Sequence, residues 1–219
     1  MFTSQKIAAV YDQIGLYFSA TRPRLSASAV SLLPKLPVHA RILDLGCGNG
    51  VLLTAFDRRS LGEDGSINYT GLDISRAMID EARSRLAGPN TKFILANVLD
   101  PQTWPGLGKY DFIAALAVFH HLPTPDDHIK LLRNIKQHLN PAASALISVW
   151  NLNQAKFDRY RHGKYLSIPF HGGPSRNFYA ASDEELTELA KQAGFSNIKT
   201  KVTKDNLYLT LKLVRNRTG

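Results

Sequence analysis

At 219 residues the chain is the size of one domain, large enough to bury roughly 70% of its unfolded surface without disulfide or metal staples. One cysteine excludes an internal disulfide, and neither a signal-peptide core nor a run of ~20 apolar residues is present, so a soluble, cytoplasmic protein without a membrane partner is expected. The net charge of +9 sits in the flanks: residues 1–41 carry 5 Lys/Arg against 1 Asp/Glu, residues 42–150 carry 10 against 11, and residues 151–219 carry 12 against 6. Flanks of this sign drawn over the mouth of a neutral core would attract anions.

In chain order, residues 1–39 read as a helical cap, with Tyr11 and Phe18 seven apart on one helix face. Residues 40–150 alternate strand-like and helix-like runs: ARILDL (40–45), INYTGLD (67–73), KFILAN (92–97), YDFIAALAV (110–118) and ALISVW (145–150) are the strand candidates. Such alternation predicts a parallel sheet with helices on both faces. After the double histidine of AVFHHLPT, Thr124 caps a helix with Pro125 in its first turn. Asp126 and Asp127 complement its dipole, Ile129, Leu132, Ile135 and Leu139 form its apolar face, and Asn140-Pro141 ends it. Residues 151–181 show no periodic element, yet interleave Tyr160, Tyr165, Phe170, Phe178 and Tyr179 with basic residues. They read as a lid or substrate-recognition insert, within a single domain. A last helix opens on Ser182 and Glu185 in capping-box spacing, buries Leu186, Leu189 and Ala193, and stops at Gly194. SNIKTKV (196–202) and NLYLTLKLV (206–214) then pair at the sheet's end, where Lys199, Lys201 and Lys204 guard an edge.

The turn DLGCGNG, Asp44 to Gly50, joins the first strand to the first helix. Its third glycine comes one residue too early for the dinucleotide fingerprint GxGxxG, and no Lys-Ser/Thr pair follows for a P-loop. Asp73 ends the second strand 23 residues after Gly50, a separation suited to a carboxylate on ribose hydroxyls. With Cys47 alone, methylation of a pyrimidine carbon through a cysteine adduct lacks its nucleophile. His120 and His121 have no carboxylate or cysteine set at ligand spacing, so no metal is expected.

An acidic strand end followed by GxGxG resembles motif I of the class I methyltransferases that use S-adenosylmethionine. The resemblance implies a Rossmann-like α/β fold: a mostly parallel seven-stranded sheet, an antiparallel final strand and helices on both faces. It implies a cofactor site of Asp44, Gly46, Cys47, Gly48 and Gly50 in the turn, Asp73 and Ile74 at the second strand end, Asn97 and Val98 at the third, and Ala117 at the fourth. A narrower likeness runs through YDQIGLYFSATR (11–22), AVFHHLPT (117–124), LISVWNLNQ (146–154), RNFYAASDEEL (176–186) and DNLYLTLK (205–212). Together these are similar to the tRNA wobble-uridine methyltransferases that esterify 5-carboxymethyluridine. This resemblance implies Arg22, His120, His121, Arg176 and Tyr179 on the acceptor side, the tRNA anticodon arm as partner, and a small zinc-binding activator subunit as a further candidate in a monomer or heterodimer. The chain differs from that family at Phe178 and Tyr179, where tyrosine and histidine are usual. Two other readings stay open: a methyltransferase for a small organic acid, and a non-catalytic cofactor-binding subunit.

Overall fold

A computed structural model describes residues 3–21, 23–57, 67–171 and 173–213. The chain runs α1 (Ser4–Thr21), α2 (Ala27–Val30), β1 (Arg41–Leu45), α3 (Val51–Asp57), β2 (Asn68–Asp73), α4 (Arg76–Leu86), β3 (Thr91–Leu95), β4 (Tyr110–Leu116), α5 (Pro125–His138), β5 (Leu139–Trp150), β6 (Arg161–His162), β7 (Tyr165–Pro169), β8 (Ser175–Tyr179), α6 (Asp183–Gln192), β9 (Asn197–Val202) and β10 (Asn206–Lys212). Seven strands form one sheet in the order β3-β2-β1-β4-β5-β10-β9, in which β10 alone runs antiparallel to its neighbours.

The central strands read as apolar runs because both of their faces are buried, so alternation sorts residues between two cores rather than between core and water. Leu43, Ile113, Ala145 and Leu209 face α5 and α6, whereas Ile42, Phe112, Leu146 and Tyr208 face α2, α3 and α4. The Thr124 hydroxyl accepts from the Asp127 N–H, as its capping position predicts. His128, Leu131, Leu132 and Ile135 supply the buried face of α5, with Ile129 only half-buried. Asn140-Pro141 ends the helix without a loop. β5 begins at Leu139, and Asn140 Nδ2 donates to Asp111 Oδ1 at 2.7 Å, tying the irregular strand start to β4. Proline is tolerated there because a strand's first residues need not donate to the ladder.

Residues 151–181 are more ordered than their sequence implies. A short 3-10 helix (Ala155–Tyr160) leads into a separate three-stranded antiparallel sheet, β6-β7-β8. Leu166, Ile168 and Phe178 bury its inner face with Leu152 and Ala180. Strands of two to five residues are too short to carry a readable period. α6 matches its expected cap and face, the Ser182 hydroxyl accepting from the Glu185 N–H. Among the described residues no helix is long and apolar enough to cross a membrane.

Gly50, where the glycine turn enters α3, adopts φ +77°, and a Cβ there would stand 2.6 Å from Leu86 Cδ1. The third glycine thus permits close packing of the turn against α4. Gly50→Ala is expected to cost at least about 2 kcal/mol, from left-handed backbone plus the clash. Urea unfolding checks this, and an unchanged midpoint would contradict it.

Candidate active site

A cavity of about 390 Å³ opens at the carboxyl ends of the parallel strands, the place where open α/β sheets bind ligands. Nine expected cofactor-side residues line it: Asp44, Gly46, Cys47, Gly48, Asp73, Ile74, Asn97, Val98 and Ala117. Gly50 does not, for the packing reason given above. Gly46 sits at φ +67°, and any Cβ would overlap the Val118 side chain. Tyr11 and Phe18 of α1 close another wall, their rings edge-to-face at 5.4 Å. Cys47 is packing: its thiol is buried, and burial, then Asp73 and Asp44, push its pKa well up.

The floor is acidic. Asp44 is 3% exposed and accepts from the Tyr69 hydroxyl at 2.6 Å. Asp73 accepts from Gly48 N–H at 2.8 Å and Ser75 N–H at 2.9 Å, so one carboxylate clamps the glycine turn of β1 to the start of α4. Burial raises its pKa against those amide bonds. Neither carboxylate has a Lys or Arg partner among the described residues. Asn97 Oδ1 accepts from its own turn, from Leu99 N–H at 3.0 Å, and keeps one lone pair for a donor.

The two histidines have different jobs. His121 Nδ1 lies 3.1 Å from the Asn177 carbonyl, which can only accept, so this nitrogen carries the proton. Nε2 then accepts from the Tyr11 hydroxyl at 2.9 Å. Both ring nitrogens are engaged, and His121 ties α1 to β8. His120 accepts at Nδ1 from the Trp150 N–H at 3.1 Å, so the neutral ring carries its proton on Nε2. That nitrogen has no partner among the described residues, and His120 lines the cavity. Burial is the main cause holding both rings neutral: the His120 pKa lies well below 6.5, with His121 and Arg176 adding, and that of His121 at about 4.

Phe178 organises this end, stacking on Trp150 at 5.1 Å and contacting His120 and His121. Beside it Arg176, 6% exposed, lies over the rings of Phe170, Trp150 and Phe178 at 4.7, 5.0 and 5.3 Å. Its Nε and Nη1 are buried without a hydrogen-bond partner. Tyr179 is not at the site. Strand alternation turns it to the face opposite Arg176 and Phe178, where its hydroxyl donates to Glu185 at 2.5 Å. Arg22 lies outside the described residues.

Sequence reasoning missed Tyr69, Ser148, Asn206 and Tyr208. Ser148 Oγ accepts from Ala117 N–H at 3.0 Å and steadies that residue at φ +59°, while Asn206 and Tyr208 line the cavity from β10. The signal for the last two was the strict alternation of NLYLTLK, which puts Asn206 and Tyr208 on the face opposite Leu207, Leu209 and Leu211.

Burial lifts Asp44 from 3.8 to about 7, Asp73 adding to the effect and Tyr69 opposing it. The folded chain therefore holds this proton to higher pH than the unfolded chain. Its contribution to stability falls as pH rises between 3.8 and about 7 and is constant above. Ionised Asp44 costs of order 4 kcal/mol. Asp44→Asn is expected to be more stable than the parent by that order at about pH 8, with the gap closing near pH 4. Denaturation at both values checks the sign, and a gap independent of pH would contradict it.

A family model described as a methyltransferase domain matches residues 17–200. The tRNA (carboxymethyluridine(34)-5-O)-methyltransferase ALKBH8 of Mus musculus is 30% identical over 162 residues, 72% of this chain and 22% of that protein. Trans-aconitate 2-methyltransferase of Escherichia coli is 36% identical over 128 residues, 58% of this chain and 45% of that protein. The chain thus spans well under two thirds of either relative. Among solved structures, a SAM-dependent methyltransferase from Methanosarcina mazei superposes with TM-score 0.65 at 16% identity, over 88% of this chain and all of that one. A methyltransferase from Haloferax volcanii, solved in complex with the Trm112 methyltransferase activator, superposes with TM-score 0.70 at 16% identity, over 97% of this chain and 99% of that one. At such identity both show the shared fold. The chain belongs to the methyltransferase domain family and shares the Rossmann-like fold of the S-adenosylmethionine-dependent methyltransferase on which it superposes.

Proposed function

We propose that the chain transfers a methyl group to a carboxylate oxygen, that of 5-carboxymethyluridine at the tRNA wobble position. The observation that carries this reading is Arg176: a buried guanidinium with two unpartnered nitrogens, beside a neutral histidine that offers N–H toward the cavity. Such groups call for an anion, and arginine's fork suits a carboxylate. The two relatives, a carboxymethyluridine enzyme and a trans-aconitate enzyme, are both named for acceptors that carry carboxylates.

The acidic floor fits a cationic cofactor, since Asp44 and Asp73 have no countercharge among the described residues and the backbone of Gly46 leaves no room for a side chain. S-adenosylmethionine supplies a sulfonium-bound methyl group for in-line displacement. Asp44 and the glycine turn would hold its amino-acid end, Asp73 its ribose, and Asn97 with Val98 its adenine. A carboxylate acceptor is already ionised at neutral pH, so no side chain has to remove a proton. His120 would orient it through Nε2–H, with Arg176 holding it or a neighbouring phosphate. Phe178 and Trp150 keep this end dry, which strengthens each of those hydrogen bonds.

A second reading, an enzyme for a free organic acid, rests on the 36% identity with the trans-aconitate enzyme. A third reading, a non-catalytic cofactor-binding subunit, predicts S-adenosylmethionine binding without methyl transfer to either acceptor. The deciding experiment incubates the protein and S-adenosylmethionine with tRNA bearing carboxymethyluridine, with and without a Trm112-type activator, then resolves nucleosides by mass spectrometry. A methyl ester at the wobble base is expected. Transfer only to a metabolite acid would overturn the tRNA reading.

Two further outcomes follow from the geometry. Arg176→Met should lower kcat/KM by about 30-fold or more, the cost of an unmet buried charge pair, and leave cofactor affinity unchanged. At saturating cofactor the pH–rate profile should show no ionisation near 6.5, because both histidines remain neutral there. A histidine limb that vanishes in His120→Asn would mean that the acceptor brings a proton.

A further inference from the structure

We propose that one face of the β9–β10 hairpin is a docking surface for RNA phosphates, holding a stem while one nucleotide enters the cavity; this rests on the tRNA reading above. In the antiparallel pair, residues directly opposite point to the same face. Lys201 stands opposite Tyr208, Lys199 opposite Thr210, and Lys212 lies two residues beyond Thr210 on the same strand. All three lysines therefore share the face of Tyr208, which lines the cavity and whose hydroxyl is 3.1 Å from Ser26 Oγ. Lys201 reaches along this face to Ser31 Oγ at 3.2 Å. Lys204 occupies the turn, where its carbonyl accepts from Gln154, and Arg24 lines the cavity mouth itself.

These five cations make no ion pair among the described residues. Residues 13–40 contain no Asp or Glu, and residues 189–213 contain only Asp205. Edge protection needs a charge anywhere along the open strand. It does not explain why the lysines occupy one face while Ile198, Thr200 and Val202 occupy the other. Lys199 and Lys201 stand about 6.8 Å apart along the strand. That row of unneutralised like charge, beside a site entrance, suits a polyanion with regularly spaced charges. A nucleic-acid backbone supplies one, and its binding would show as salt-dependent affinity.

The test compares the full chain with the triple variants Lys199→Ala/Lys201→Ala/Lys204→Ala and Lys199→Arg/Lys201→Arg/Lys204→Arg. The probe is an unmodified anticodon stem-loop RNA, titrated over a range of salt, and wobble methylation of full-length tRNA is measured in parallel. The alanine triple should lose at least about ten-fold in RNA affinity, and its log–log salt slope should fall by about 2 to 3. The arginine triple should keep both, and all three proteins should bind S-adenosylmethionine alike. An unchanged slope in the alanine triple, with normal wobble methylation by the parent, would overturn the docking face and leave the tRNA reading standing. RNA binding of the expected slope with no wobble methylation would do the reverse. A parent that ignores the RNA but binds phosphatidylserine vesicles through these lysines would overturn the docking proposal.

Discussion

Two carboxylates with no countercharge among the described residues set the terms for the rest of the structure. Parallel register brings the ends of β1 and β2 side by side, so burial raises the cost of ionising Asp44 and the nearby Asp73 adds to it. Around them the chain spends its polar groups on restraint: the Tyr69 hydroxyl on Asp44, the amides of Gly48 and Ser75 on Asp73. A third acid, Asp12 of α1, accepts from the Ser75 hydroxyl at 2.6 Å and adds to the field at Asp73. Behind the cavity wall that His120 and Trp150 form, the sign reverses: Arg176 is caged by aromatic rings and has no acidic partner among the described residues. A dry site of this polarity favours a reaction in which a cationic donor and an anionic acceptor both become neutral, because low polarity penalises separated charge.

The double histidine divides between these ends. One ring is spent on architecture, joining α1 to β8 through both of its nitrogens, and the other keeps a single N–H for the cavity. Aromatic packing around Phe178 enforces the division, since it excludes water from both rings and so keeps both neutral. Adjacent residues in a short 3-10 turn point in different directions, which is how neighbours in sequence acquire unrelated work.

The parallel core was legible because its strands are apolar runs punctuated by glycine, capping threonine and serine, and acidic strand ends. Each of those signals is local. The acidic floor of the cavity was legible for the same reason, since Asp44, Gly46, Gly48 and Asp73 sit where strand ends must sit. What stayed hidden depends on pairs distant in sequence. Tyr69 matters only because β2 lies beside β1, and Tyr179 reads as a site residue until the pairing of β8 with β7 shows which way it faces. The insert hid its small sheet because two- to five-residue strands carry no measurable period, and their burial comes from Leu152 and Trp150 outside the strands.

The small sheet has its own core and meets the main fold chiefly through the end of β5, the 3-10 turn of the histidines, and α1. No residue of β6, β7 or β8 lines the cavity beside the acidic floor. Substitutions on the outer face of the small sheet therefore leave the glycine turn and its carboxylates untouched, whereas changes at Asn177 or Phe178 reach the cavity through the two histidines.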